Sequence, residues 1–148
     1  MTTIRLTTHI DAPIEYVFDR SRDIDFHKNT ASKTQERTIA GVQSGYISMG
    51  ETVTWKGKHF GLWLTHESLI TAFEAPKYFV DEMITGNFKN FKHEHYFTQT
   101  GNTTIMKDAL SYKVPYGFIG VIFDNLFLKS YLTRFLKTRN AAIKVSFH

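Results

Sequence analysis

Three residues able to move a proton or hold a metal, His93, His95 and Asp108, fall within one stretch of the chain, Phe91 to Val114. That stretch, FKHEHYFTQTGNTTIMKDALSYKV, reads as two strands around a tight turn at Gly101-Asn102. With those two residues as the loop, Thr100 faces Thr103. Counting outward then sets Phe97 opposite Met106, His95 opposite Asp108, His93 opposite Leu110 and Phe91 opposite Tyr112. Side chains alternate along a strand, so these eight share one face. Lys92, Glu94, Tyr96, Thr98, Ile105, Lys107, Ala109 and Ser111 make the other, which has the composition of a solvated surface. Two imidazoles and a carboxylate are therefore set into an apolar, aromatic face.

Cross-strand neighbours have Cβ atoms about 4.5–5.5 Å apart, which lets His95 and Asp108 hydrogen bond. In a catalytic reading Asp108 fixes the tautomer of His95 and raises its basicity, making His95 a general acid or base for a bound molecule. In a structural reading the two are a buried, mutually satisfied pair that holds the register. In a metal reading His93 and His95, at i and i+2, join Asp108 as a two-histidine, one-carboxylate set. Two alternating histidines are thin support for a metal without three convergent ligands and a supporting shell, so no metal and no cofactor is expected. Ser111 points to the other face, which argues against a serine triad with His95. No G-x-S-x-G, H-E-x-x-H, P-loop or dinucleotide fingerprint is present. Glu67, Asp81 and Glu82 lie on strands whose facing the pattern leaves open.

The elements that position this hairpin can be read outward from it. A strand from Thr3 to Ile10 precedes a helix start at Asp11-Ala12-Pro13, with Val17 and Phe18 as its buried contacts. Asp23 to Ala31 reads as a second short helix capped by Asp23. Thr34 to Ile39 is a weak strand followed by a loop. Glu51 to Lys58, Phe60 to Phe73 and Lys77 to Ile84 alternate as strands, and Gly86-Asn87 turns the chain into the hairpin. From Phe118 to about Val145 the period becomes helical, with Gly120 the one weak point. An antiparallel sheet with one apolar face needs a cover, and this helix is the only element of the right size. The class is α+β: about six to seven antiparallel strands curved around a long C-terminal helix, with two short helices after the first strand.

Composition narrows the function. With 148 residues and 42% hydrophobic content the chain suits one globular domain spanning 1–148. The net charge of +4 is mild and its cations are scattered, so nucleic acid is not an expected partner. The absence of cysteine removes disulfides, thiolate metal sites and cysteine nucleophiles, and fits a cytoplasmic protein. The first residues lack the apolar core of a secretory signal. The most apolar window, Phe118 to Leu128, falls short of the ~20 residues of a membrane-spanning helix, so stable insertion is not expected. That window is expected to bury against the sheet. The competing picture is an exposed apolar entrance that touches anionic lipid, helped by five cations on the same helix.

Several motifs resemble the START-like or SRPBCC superfamily with its helix-grip, Bet v 1-like fold. They are the opening Ile10, Ala12, Pro13, Glu15, Val17 and Phe18, then TVTWKGKHFG at 52–61, YFVDEM at 78–83, KHEHYF at 92–97, MKDALSYKVPYGFIG at 106–120 and SYLTRFLKTRN at 130–140. The nearest likeness is to small bacterial cyclase/dehydrase-like members. The resemblance implies a cavity between sheet and helix that binds or transports a small hydrophobic ligand or lipid. Its alternative is a cyclase or dehydratase acting on an aromatic or polyketide-like ligand through His95 and Asp108. Trp55, Trp63, Phe79, Phe97, Tyr112, Phe123, Phe127 and Tyr131 are the candidate walls, beside His93, His95, Asp108 and Leu110. A homodimer is a further possibility.

Overall fold

The computed structural model describes residues 1–30 and 34–148, which leaves Ala31, the expected end of the second helix, outside the described residues. The chain runs β1 (Thr2–Ile10), α1 (Ile14–Ser21), α2 (Ile24–Thr30), β2 (Arg37–Gly41), β3 (Thr52–His59), β4 (Leu62–Glu74), β5 (Tyr78–Thr85), β6 (Asn90–Thr100), β7 (Thr103–Lys113), α3 (Gly117–Phe123), a π-helical turn (Asp124–Leu128) and α4 (Lys129–Val145). The seven strands form one antiparallel sheet in the order β1-β7-β6-β5-β4-β3-β2. Register shifts between Thr38 and Ala40, Glu67 and Ser68, and Ile70 and Ala72 are bulges, and bulges bend and twist the strands that carry them.

The β6–β7 register is the one counted from the turn: Thr100 pairs with Thr103, Phe97 with Met106, His95 with Asp108, His93 with Leu110 and Phe91 with Tyr112. Around α1, Phe18 is the centre of the larger apolar cluster. Its ring meets Phe73, Phe79 and Phe97 edge-on at 5.4, 5.4 and 5.2 Å. Ile4, Leu110, Tyr112, Leu128 and Leu136 form a second cluster toward the other end. Along β6 and β7 the histidines and Asp108 fall between the two, so a polar layer separates two dry ones.

The long helix differs from its expected burial. Its buried residues are Gly120, Asp124, Leu128, Leu136, Asn140 and Ile143, a line with a near four-residue spacing. Phe118, Ile119, Val121, Ile122, Leu126 and Phe127 are exposed, which corrects the expectation that 118–128 packs against the sheet. The polar Asp124 instead turns inward because it has partners there: the Tyr112 hydroxyl donates to its Oδ1 at 2.5 Å and Thr2 to its Oδ2 at 2.5 Å. Gly120 holds the helix close to the end of β7. A Cβ on it would lie 1.9 Å from the Pro115 carbonyl oxygen.

Candidate functional site

The polar layer is assembled from four elements. β5 supplies Asp81, β6 supplies His93 and His95, β7 supplies Asp108, and α4 supplies Arg139 and Asn140. His93, His95, Asp108 and Asn140 are 6%, 2%, 2% and 3% exposed, so each needs a partner inside the protein. Asp108 is fully engaged. Its Oδ1 accepts from His93 Nε2 at 2.7 Å and its Oδ2 from Asn140 Nδ2 at 2.8 Å, while Arg139 Nη1 stands 3.5 Å from Oδ1. His95 Nε2 donates to Asp81 Oδ2 at 2.7 Å. The other ring nitrogen, His95 Nδ1, is buried without a hydrogen-bond partner, at 3.5 Å from Asp108 Oδ1.

The expected His95–Asp108 hydrogen bond is therefore not made. The two residues do face each other, but the imidazole leans away to Asp81 while Asp108 turns to His93 and Asn140. Ring packing fixes that lean: Phe79 stacks on His95 at 4.1 Å with the planes 11° apart, and His93 covers its other side at 3.8 Å and 25°.

Burial pushes His95 down to about 4, with the neighbouring His93 charge acting the same way and Asp81 opposing. His95 is thus a neutral imidazole near pH 7. Burial alone would raise Asp81 and Asp108. For Asp81 the hydrogen bond and charge of His95 outweigh it, bringing that carboxyl to about 2. For Asp108 the His93 hydrogen bond and the Arg139 charge hold it well below the usual carboxylate range. Asp81, His93 and His95 each offer a ligand atom within 4.8 Å of the other two, the set here that could hold a metal. In this arrangement both imidazole Nε2 atoms are already given to carboxylates.

A second polar clasp joins the helix to the far side of the sheet. Glu36 Oε1 accepts from His59 Nε2 at 3.0 Å, which leaves His59 Nδ1 to accept from the Tyr131 hydroxyl at 2.6 Å. Gly57 makes room for it: a Cβ there would sit 2.4 Å from a Glu36 carboxylate oxygen. Between clasp and polar layer, the inner face carries Trp55, Leu64, His66, Met83 and Phe91, all only partly covered. The backbone of α4 comes closest to β1, α1 and α2, on the other side of the sheet's concavity. Burial also lowers His66, whose ring meets Phe91 at 4.8 Å.

The other expected site residues scatter. Trp55 and Tyr131 border this partly covered face. Phe79, Phe97 and Leu110 are packed into the two apolar clusters, and Tyr112 is fully buried with its hydroxyl tied to Asp124. Trp63 is not a wall: it lies on the convex face beneath Arg37 and Lys56, because its partner Lys58 and its neighbours alternate outward. Phe123 and Phe127 are exposed. Asp81, whose facing the pattern leaves open, turns inward, whereas Glu67 and Glu82 do not, since they pair with the outward Thr54 and Lys92. Counting β5 against β6 would have found Asp81, but the loop between them is longer than a two-residue turn. Arg139, Asn140, His59 and Glu36 were missed because nothing local in sequence ties them to the hairpin. Two open surface depressions, of ≈ 250 Å³ beside Phe18 and Pro76 and ≈ 470 Å³ beside Lys129 and Arg134, do not border the polar layer.

A curved seven-stranded antiparallel sheet gripping a long C-terminal helix, with two short helices after β1, is the START-like, Bet v 1-like helix-grip fold. Solved structures share it along nearly the whole chain. A protein of Thermus thermophilus superposes with a TM-score of 0.76 at 15% identity, covering 99% of this chain and 100% of its own. A START superfamily protein from Mycobacterium smegmatis gives 0.72 at 12% identity over 95% and 96%. The ginseng major latex-like protein 151 from Panax ginseng gives 0.71 at 15% over 99% and 97%. No protein-family model and no curated protein matches the sequence.

Proposed function

We propose that this chain binds a small, largely apolar molecule between the concave sheet and the C-terminal helix, with a hydroxyl or other donor of the ligand directed at His95. The observation that carries this reading is the unpartnered Nδ1 of His95. With Nε2–H committed to Asp81, Nδ1 of the neutral ring is an acceptor, and a buried acceptor left unmade costs about 1–3 kcal/mol. The partly covered Trp55, Leu64, His66, Met83 and Phe91 supply apolar and aromatic surface on the same inner face of the sheet. Ligand sites are commonly of this kind, mostly apolar with a few placed polar groups. The same nitrogen favours a second reading. A neutral imidazole oriented by a carboxylate, with its free lone pair toward a bound molecule, is equipped as a general base for cyclase or dehydratase-type chemistry. In that reading Asp81 orients His95, while Asp108 holds His93.

Native mass spectrometry of gently purified protein should show a retained apolar mass. A panel of hydroxylated and non-hydroxylated fatty acids and aromatics should shift the melting temperature, with the hydroxylated members favoured. His95→Leu should remove that preference while leaving the apolar affinity. No retained mass together with no shift across the panel would sink the binding reading. The base reading requires turnover that His95→Gln abolishes without loss of affinity.

A further inference from the structure

We infer that the N-terminal half of the C-terminal helix, with the tip of the β3–β4 hairpin, docks the protein on the surface of an anionic membrane. Along α3 and the π-helical turn, Phe118 is 75% exposed, Ile119 63%, Ile122 53%, Leu126 64% and Phe127 57%. Each of these residues leaves more than half of its surface in water, at a cost in solvation. The hairpin extends it. Phe60 sits in the two-residue turn, half exposed, with a left-handed φ of 53° that a bulky residue rarely adopts. Its ring reaches Phe123 at 5.5 Å and Tyr131 at 4.5 Å, and Phe123 reaches Phe127 at 5.9 Å. The apolar surface is therefore continuous across two elements, the condition that distinguishes an interaction patch from scattered exposed residues.

Charge selects the occupant. From Val114 to the end of the chain the only acid is Asp124, and it is buried against Tyr112 and Thr2. Exposed cations lie close to these segments in sequence: Lys58 two residues before Phe60, Lys113 ahead of α3, and Lys129 and Arg134 just after the π-helical turn. Around α1 and α2, at the opposite end of the long helix, charges of both signs mix, with Asp19 paired to Arg22 and Asp25 to Lys28. The molecule thus carries an apolar tip flanked by cations, a combination matched to a negatively charged lipid surface. A second copy laid on the same patch would bring two cationic rims together. Twelve helical residues extend about 18 Å, too short for the ~30 Å hydrocarbon core, so the segment lies in the interface rather than crossing it. This holds whether or not the concave face takes a ligand.

The test is flotation of the intact protein with phosphatidylcholine vesicles, with and without phosphatidylglycerol. Binding to the phosphatidylglycerol vesicles is expected, weakening in high salt. Phe118→Glu and Ile122→Glu, at exposed positions that the fold does not use, should each weaken it by about tenfold or more. Tyr16→Glu, at an exposed position on α1 at the opposite end of the helix, should leave it unchanged. Circular dichroism and melting temperature verify that the variants fold. Failure of the parent chain to float with phosphatidylglycerol vesicles overturns the inference. So does a concentration-dependent dimer in light scattering that Phe118→Glu abolishes in the absence of vesicle binding.

Discussion

His93 hydrogen bonds to Asp108 at 2.7 Å, although the residue directly across the ladder from Asp108 is His95. The exchange is reciprocal. Asp81 lies directly across from His93, yet its hydrogen bond goes to His95, also at 2.7 Å. Each imidazole has taken the acid that faces the other. Diagonal neighbours on one face of a sheet are within reach of long and aromatic side chains, so the crossing needs no distortion. It allows the Phe79, His95 and His93 rings to stack as one column while both Nε2–H groups are satisfied. What remains among the described residues is one fully buried side-chain nitrogen without a hydrogen-bond partner, Nδ1 of His95, on the side of Asp108.

The crossing makes Asp108 the structural acid of the layer. It holds β6 through His93 and α4 through Asn140, with no measurable side-chain exposure, whereas the Asp81 side chain is 22% exposed. Removing one partner of a buried charged pair costs about 3–5 kcal/mol. Asp108→Ala should fall in that range by urea unfolding, and Asp81→Ala should cost clearly less. Equal losses would mean that the helix is not held through Asp108.

The layer should also make the protein acid-labile, and the direction follows from proton binding. His95 has its pKa lowered from 6.5 to about 4, so between those values the unfolded chain carries a proton that the folded one refuses. Stability is then greatest above about pH 6.5 and falls as pH drops toward 4, by about 1.4 kcal/mol per pH unit for one such group. His27 acts in the same direction, pushed down to about 3 by burial and Arg139, though its partly exposed ring makes it the weaker contributor. Asp81, lowered from 3.8 to about 2, adds a loss as pH falls through that lower window. Melting temperature against pH should show this fall, and His95→Gln should flatten the limb between about 6.5 and 4. An unchanged limb in that variant would assign the slope elsewhere.

Gly120 inverts an ordinary rule. In most helix interiors Gly→Ala stabilises by up to about 1 kcal/mol. Here the new Cβ would lie 1.9 Å from the Pro115 carbonyl, backbone that has no rotamer to yield. Gly120→Ala should therefore destabilise by about 1–3 kcal/mol, the scale of overpacking, and lower the melting temperature. A rise in melting temperature would show that α3 can lift from the end of β7.

These residues show where sequence reading succeeded and where it stopped. The β6–β7 register was legible because a two-residue turn converts position into pairing, leaving no freedom between Thr100 and Thr103. The helix-grip architecture followed from one apolar face needing one cover. The facing of β5 was not legible, because the loop after Thr85 and the bulges in β4 break the count. The long helix was misread for a different reason. Apolar residues at 118–128 are expected to seek the core, but Gly120 and Asp124 win that side through close approach and hydrogen bonding, rolling all but Leu128 of the apolar residues outward. Hydrogen-bond partners that are remote in sequence, such as Asn140 for Asp108, leave no local trace.

The clasp at the other edge of the concave face gives a last test. Tyr131 donates to His59, and His59 passes the link to Glu36, so one chain of hydrogen bonds ties α4 to β3 and to the segment before β2. Burial and the Glu36 charge both raise the Tyr131 hydroxyl, keeping it protonated and able to donate. Tyr131→Phe keeps the ring that packs on Phe60 and removes only the hydroxyl. It should cost about 1 kcal/mol, the net value of one such hydrogen bond with some allowance for the acceptor left behind. Amide exchange should quicken in the first turns of α4 and in β3 near His59, while β6 and β7 stay protected. If exchange in α4 is unaltered, the ring contact with Phe60 rather than the hydrogen bond holds the helix there, and opening of the concave face would then depend on the hairpin tip.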